Sequence, residues 1–381
     1  MAALSGAHLT TDFAGGALPA LLPFLRDRFG LSYTLVALLV LASQLSSSLI
    51  QPLFGLWSDR RGALWLLPAG VALAGLGIAL AADAPSYPLV VACILLSGIG
   101  IAAFHPEGSK FAAYASGRRR ASGMSFFSVG GNIGFALGPL ATTGLVGAFG
   151  LRGGLLLALP GLAVAVALVS LRRFIGSFAP ARRHADGAGD DRPRAMVVLL
   201  SVIAFRSVAW FGLLTFVPLW EVSLGHSKGH AGRLLALMLV CGGLGTLVLG
   251  PLADRFGRRP VLLVSVVATG PLVLLYVLVG GAPGAVALAL IGACVVGTFG
   301  VTMVMSQEYL PRHIGMASGL TVGFALGLGG VAAVVLGAVA DAVDLRTALL
   351  VCAIAPFFAG AIGVLLPATG RQRLAPELAT P

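Results

Sequence analysis

Apolar runs of about twenty residues, separated by short polar connections, fill most of the chain. They fall at 7–25, 33–56, 63–82, 87–104, 122–148, 152–171, 195–220, 230–252, 260–280, 284–306, 315–339 and 346–366. A helix rising 1.5 Å per residue needs about 20 residues to cross ~30 Å of hydrocarbon. The pattern therefore predicts an all-α membrane protein with about twelve transmembrane helices. Gly and Pro recur inside the runs, as membrane helices allow, because neighbouring helices satisfy freed backbone groups and small residues permit close contact. The one long polar stretch, Arg172 to Arg194, reads as a linker. It divides the chain into an N-terminal six-helix bundle over 1–171, the linker 172–194, a C-terminal six-helix bundle over 195–367 and a tail over 368–381.

Composition agrees with a lipid solvent. Of 381 residues, 58% are hydrophobic and only 10% charged, against roughly 25% charged in a soluble domain. The net charge of +11 would suit nucleic acid if it formed one patch. Instead, 18 of the 25 Lys and Arg sit on alternate connections, including Arg60, Lys110, the 172–194 stretch, Arg255 and Arg312, and six on the others. The positive-inside rule then places both termini in the cytoplasm and excludes nucleic acid as partner. The four cysteines lie within apolar runs and show no metal or disulfide spacing. No cleavable leader is expected, since the first run contains Asp12 and lacks a basic flank. No Walker A loop, H-E-x-x-H or G-x-S-x-G context is present, so an enzyme, a resident metal or a cofactor is not expected. High Ala, Gly and Arg with little Lys point to a bacterial source, and so to a bacterial cytoplasmic (inner) membrane.

The two halves carry matching landmarks. Gly55-Leu-Trp-Ser-Asp59-Arg60-Arg61-Gly62 recurs as Gly250-Pro-Leu-Ala-Asp254-Arg255-Phe256-Gly257, a step of 195 residues. Pro23 and Pro218 stand the same distance apart, Ser122-Gly123 and Ser318-Gly319 are 196 apart, and Glu107 and Glu308 are 201 apart. Such paired bundles around a central cavity are a common transporter plan. The carboxylates of Asp59 and Asp254 are expected to cap a helix of the other half and pair with nearby arginines, with Arg60 and Arg255 beside them. Gly55 and Gly250 permit close approach. Glu308 is placed with this gating set, and Gly134, Gly138 and Pro139 read as a bend packed on the opposite bundle.

Several polar residues fall inside apolar runs. A carboxylate there costs at least ~2.5 kcal/mol and marks a cavity or a partner. Asp12 is therefore a candidate for proton coupling or substrate binding, or else a solvated or paired group near the membrane end. His8 lies one turn earlier on the same face. Arg206 follows Asp12 by almost one repeat. It suits an anionic substrate, a salt bridge to Asp12 or Glu308, or snorkelling to the surface. Trp210, one turn on, is either a cavity residue or a packed aromatic. His105-Pro106-Glu107 is expected to end the fourth helix. It reads either as a proton relay or as a helix-end network with Lys110 and Arg118–Arg120. Gln44 and Asn132 need partners in lipid, either other helices or ligand.

The two G-x-x-x-D-R loops resemble the signature of the major facilitator superfamily, over nearly the whole chain. Within it, His8-Leu-Thr-Thr-Asp12, Gln51-Pro-Leu-Phe-Gly55, Phe104-His-Pro-Glu-Gly108, Gly130-Gly-Asn132-Ile-Gly134-Phe-Ala-Leu-Gly138-Pro139 and Phe205-Arg206-Ser207 look like the fosmidomycin-resistance efflux group. The sequence departs from many drug/proton antiporters: its fourth span, Ala92 to Gly98, carries no Arg, and Ser125 replaces an expected Gly. The resemblance implies the major facilitator fold and proton-coupled export of a small toxic compound, such as an anionic phosphonate, by a monomer. The alternative is proton-coupled uptake of a sugar or organic acid. On this reading Asp12, His105 and Glu107 serve coupling. His8, Asp12, Gln44, Asn132, Arg206 and Trp210 serve substrate binding.

Overall fold

The computed structural model describes residues 1–61, 63–117, 120–178 and 190–367. The side chains of Asp59, Arg60 and the Arg118–Arg120 run, linker residues 179–189 and the tail 368–381 lie outside the described residues. The first half comprises α1 (Ala2–Phe29), α2 (Tyr33–Ser48), α3 (Gln51–Arg61), α4 (Leu66–Asp83), α5 (Tyr87–Ser116), α6 (Arg120–Phe149) and α7 (Ala158–Gly176). The second comprises α8 (Pro193–Ser223), α9 (Lys228–Phe256), α10 (Arg258–Val279), α11 (Gly281–Gly297), α12 (Phe299–Tyr309), α13 (Ile314–Ala342) and α14 (Leu345–Gly363). No strand occurs among the described residues.

Among the described residues, eleven helical stretches are long and apolar enough to cross a membrane. The twelfth expected span is α1, whose 28 residues suffice in length. Its lower apolarity has a physical cause. It lies inside the molecule, against α4, α5, α6 and α8, and buries His8, Thr10 and Thr11 along with its apolar face.

Local sequence explains the helix ends. Ser32 caps α2 by accepting from the Leu35 amide, and Ser227 caps α9 by accepting from that of His230. Gly30 closes α1 in the left-handed region, at φ 62°. Asp344 caps α14, and its bond from the Thr347 amide, at 2.6 Å, holds the carboxyl below the usual carboxylate range. Two spans carry breaks, and one expectation, the end of the fourth helix, is corrected. The second span is broken between Ser48 and Gln51, where Pro52 fits the first turn of α3 because its missing N–H would go unpaired there anyway. The tenth is broken at Thr298. The fourth does not end at His105-Pro106-Glu107 but continues through Pro106 to Ser116.

The α1–α6 contact brings two backbones together through glycine. Gly134 stands against the Leu9 carbonyl, Gly16 against the Phe135 carbonyl, and Gly138 against the Phe13 carbonyl and Ala17 amide. Any Cβ at these points would overlap main-chain atoms. Gly134 and Gly138, with Pro139 beside them, therefore pack on the first half's own α1, not on the opposite bundle as expected. Small residues at such crossings give the van der Waals contact that holds membrane helices together.

The halves meet along α2–α13 and α6–α9. At the end opposite the G-x-x-x-D-R segments, the Tyr33 and Thr34 amides donate to Asp341 at 2.7 and 2.9 Å, and the Thr34 hydroxyl donates at 2.6 Å. Lys228 pairs with Asp27 at 2.5 Å. Midway, Gly330 of α13 faces Leu41 and Gln44, and Gly243 of α9 faces Asn132. Nearer the segment-bearing end, a Cβ at Gly250, Gly319, Gly323 or Gly327 would meet nothing within 4 Å. The polar contacts that close the halves together lie at the end opposite the G-x-x-x-D-R segments. A cross-half helix cap exists, but Asp341 makes it at the far end. Asp254 instead pairs within its own half, with Arg258 at 3.7 Å.

Candidate functional site

A cavity of about 220 Å³ opens between the halves. Asp12 and Asn132 line it from the first half, and Arg206, Ser207 and Trp210 from the second. A neighbouring pocket of about 110 Å³ shares Asp12 and Phe135 with it and adds Gln44. Four of the expected substrate residues thus meet at one cavity, and Gln44 joins them through Asp12.

Asp12 is held by two imidazoles. Its Oδ2 lies 3.1 Å from His8 Nε2 and its Oδ1 lies 3.2 Å from His105 Nε2. Each ring is fixed from behind. His8 Nδ1 is 2.8 Å from the Phe127 carbonyl oxygen, and His105 Nδ1 is 2.9 Å from that of Ile101. A carbonyl oxygen only accepts, so both Nδ1 atoms must be the donors. A neutral ring would then present its bare Nε2 lone pair to the carboxylate. Each contact is satisfied only by a proton between nitrogen and oxygen. Each imidazole thus bridges a backbone carbonyl and the Asp12 carboxylate. His8 also stacks on Phe127, centroids 4.1 Å apart, which fixes its orientation.

Gly131 makes this trio possible. A Cβ there would stand 2.5 Å from Asp12 Oδ2 and 2.6 Å from the His8 ring. Its role was not deduced from the sequence, although the Gly130-Gly131 pair beside Asn132 was the available signal.

Arg206 is buried in α8, where its Nη1 donates to the Val295 carbonyl and to the Thr298 hydroxyl, each at 3.1 Å. Those acceptors lie where α11 stops and α12 begins. A helix end leaves carbonyls without intrahelical partners and carries partial negative charge, and the guanidinium answers both. Among the described residues no ion pair joins Arg206 to Asp12 or to Glu308, nor does Arg206 snorkel to the surface.

Glu107 does not share the site with His105. Two residues along a helix turn the side chain by about 200°. Glu107 is 1% exposed and pairs with Lys110 at 2.7 Å and with the Ser58 hydroxyl of α3. The expected joint relay is thus split, His105 facing Asp12 and Glu107 the first G-x-x-x-D-R segment. Gly55 of that segment lies 3.7 Å from Pro106 by its Cβ position. In the second half Arg258 bridges Glu308 and Asp254, and Arg255 lies over the Phe256 ring at 5.2 Å.

A multi-helix membrane body with a cavity lined by opposite charges between two related halves defines a secondary transporter. The chain belongs to the major facilitator superfamily, whose match covers residues 4–330 and 199–380. It is 32% identical to an uncharacterised MFS-type transporter, YfnC, of Bacillus subtilis, over 96% of this chain and 92% of that protein. It is 31% identical to the fosmidomycin resistance protein of Escherichia coli, with the same coverage of each. Among solved structures, the fold matches a bacterial homologue of the human lysosomal transporter Spinster, with TM-score 0.79 at 16% identity, covering 96% of this chain and 95% of that one. It also matches the nucleoside transporter NupG, with TM-score 0.78 at 14% identity, covering 96% and 98%. The protein is a multi-pass membrane transporter of a small molecule, not an enzyme.

Proposed function

We propose that this transporter exports a small toxic compound, anionic in its preferred form, in exchange for protons. The observation that carries the reading is the convergence of His8 and His105 on Asp12 at the cavity wall. Proton entry and release at that trio alternate the charge facing the cavity, and Arg206 and Trp210 receive the anion and its apolar body. The 31% identity to the fosmidomycin resistance protein supports efflux and a phosphonate as first substrate to try. Glu107, locked to Lys110 and Ser58, joins the gating set with Gly55, Asp254, Arg258 and Glu308 rather than the coupling set. The protein works as a monomer in a bacterial cytoplasmic membrane. Its two bundles span 1–171 and 195–367, both termini are inside, and the end carrying the G-x-x-x-D-R segments faces the cytoplasm. This orientation rests on the Lys and Arg distribution.

The test is expression in a sensitive host. Tolerance to fosmidomycin rises with the wild-type chain and not with Asp12→Asn at equal membrane abundance. Raised intracellular accumulation of the compound on wild-type expression would reverse the direction and favour proton-driven uptake.

A further inference from the structure

Outside the cavity, three metal-ligating side chains converge where α8 turns into α9, at the closed end of the molecule. Glu221 lies in the last turn of α8, His226 in the connection and His230 in the first turn of α9. The Glu221 carboxylate is buried, its side chain 5% exposed, while the two imidazoles are partly open to solvent. Glu221 Oε2 lies 2.6 Å from His226 Nδ1 and 3.6 Å from His230 Nε2. The ring centroids are 4.7 Å apart. All three donor atoms lie within 4.8 Å of one another.

The surrounding bonds hold these groups in place. The Tyr276 hydroxyl donates to Glu221 Oε1 at 2.7 Å, leaving Oε2 aimed at the histidines. The His226 amide donates to the Glu221 carbonyl at 3.1 Å, and the Ser227 hydroxyl accepts from the His230 amide at 3.1 Å. An outer hydrogen bond on a ligating carboxylate, with each ligand fixed by local backbone bonds, is how built metal sites are oriented. The nearby cation Lys228 is committed to Asp27 of the first half. That leaves the buried carboxylate facing the imidazoles.

We infer that Glu221, His226 and His230 form a binding site for a divalent transition metal ion of the Zn²⁺ class. Two imidazoles and one carboxylate suit a borderline ion, whereas Mg²⁺ and Ca²⁺ prefer all-oxygen sets. Bonds of about 2.1 Å in a tetrahedron set ligands about 3.4 Å apart, and the present 2.6 and 3.6 Å bracket that edge. The ion replaces the proton between His226 and Glu221, and water completes the shell. Lys228 sits between the two histidines in sequence, so an ion here stiffens the strut that ties α9 to the first half.

The test uses the full chain in detergent, without a polyhistidine tag. Zn²⁺ binding is followed by calorimetry and by the shift in Tm, and Co²⁺ by its visible bands. The expected result is one equivalent of Zn²⁺ that raises Tm, since an ion bound only to the folded state stabilises it. The double variant His226→Ala/His230→Ala binds at least 100-fold more weakly, as does Glu221→Gln, which serves if the double variant does not fold. The variant His8→Ala/His105→Ala keeps the site. No stoichiometric binding, or binding untouched by the first two variants, overturns the assignment. Loss only with His8→Ala/His105→Ala also overturns it and moves the ion to the cavity trio.

Discussion

Asp12 and Arg206 face one cavity from helices at matching places in the two halves, yet neither neutralises the other. Asp12 is held by His8 and His105, and Arg206 by the break between α11 and α12. The two charges can thus act separately. Under the proposed function, an anion would meet Arg206 without first displacing a carboxylate, and protons would reach Asp12 without first displacing Arg206.

Arg206→Ala weakens transport of anionic substrates far more than of neutral ones. A charge-assisted hydrogen bond lost from a buried site is worth about 1.5–3 kcal/mol, or about 10- to 150-fold in apparent affinity. Competition uptake in vesicles with matched anionic and neutral compounds measures this. Equal losses for both would assign Arg206 to holding the α11–α12 break alone.

Gly131→Ala disables the trio while leaving the fold intact, because the new methyl displaces the His8–Asp12 contact at 3.1 Å. Gly144→Ala, where a Cβ meets nothing within 4 Å, is the control and keeps transport, with a stability gain of up to ~1 kcal/mol. Transport and Tm measured side by side separate the two. Full activity in Gly131→Ala would mean that the trio is not needed.

Asp341→Ala loosens the closed end. It removes the acceptor for the Tyr33 and Thr34 amides at the start of α2, a cap worth about 0.5–2 kcal/mol. Spin-label distances between α2 and α13 at that end should broaden and shift to longer values. An unchanged distribution would place the closing energy elsewhere, with Lys228–Asp27 as the first candidate.

Glu107→Gln slows the transport cycle without altering its response to a pH gradient, because Glu107 faces Lys110 and Ser58 rather than the cavity. Initial rates at several gradients check this. A changed pH response would return Glu107 to the coupling set.

The spans, the repeat and the charged cavity were legible in the sequence because lipid imposes long apolar runs and makes an internal charge costly wherever it falls. The 195-residue offset put Arg206 one residue from the counterpart of Asp12, and both line one cavity. Side-chain direction was not legible: His105 and Glu107 are neighbours in sequence but point to different partners across the turn of α5. The cross-half cap was expected of Asp59 and Asp254, since those residues sit in the repeated motif. Asp254 pairs with Arg258 of its own half, the Asp59 side chain lies outside the described residues, and among the described residues Asp341 makes such a cap near the end of α13, where nothing in the local sequence marks it. The Glu221–His226–His230 cluster also escaped notice, because its residues span a helix end, a turn and a helix start.

The most direct measurement of the central claim is proton movement by purified protein in vesicles loaded with a pH-sensitive dye. With wild-type protein, adding substrate to one side drives protons the opposite way, and an imposed pH gradient drives uphill substrate movement. Asp12→Asn, folded and binding substrate, should show neither, while still equilibrating substrate down its own gradient. Unaltered pH-driven accumulation in Asp12→Asn would contradict the account.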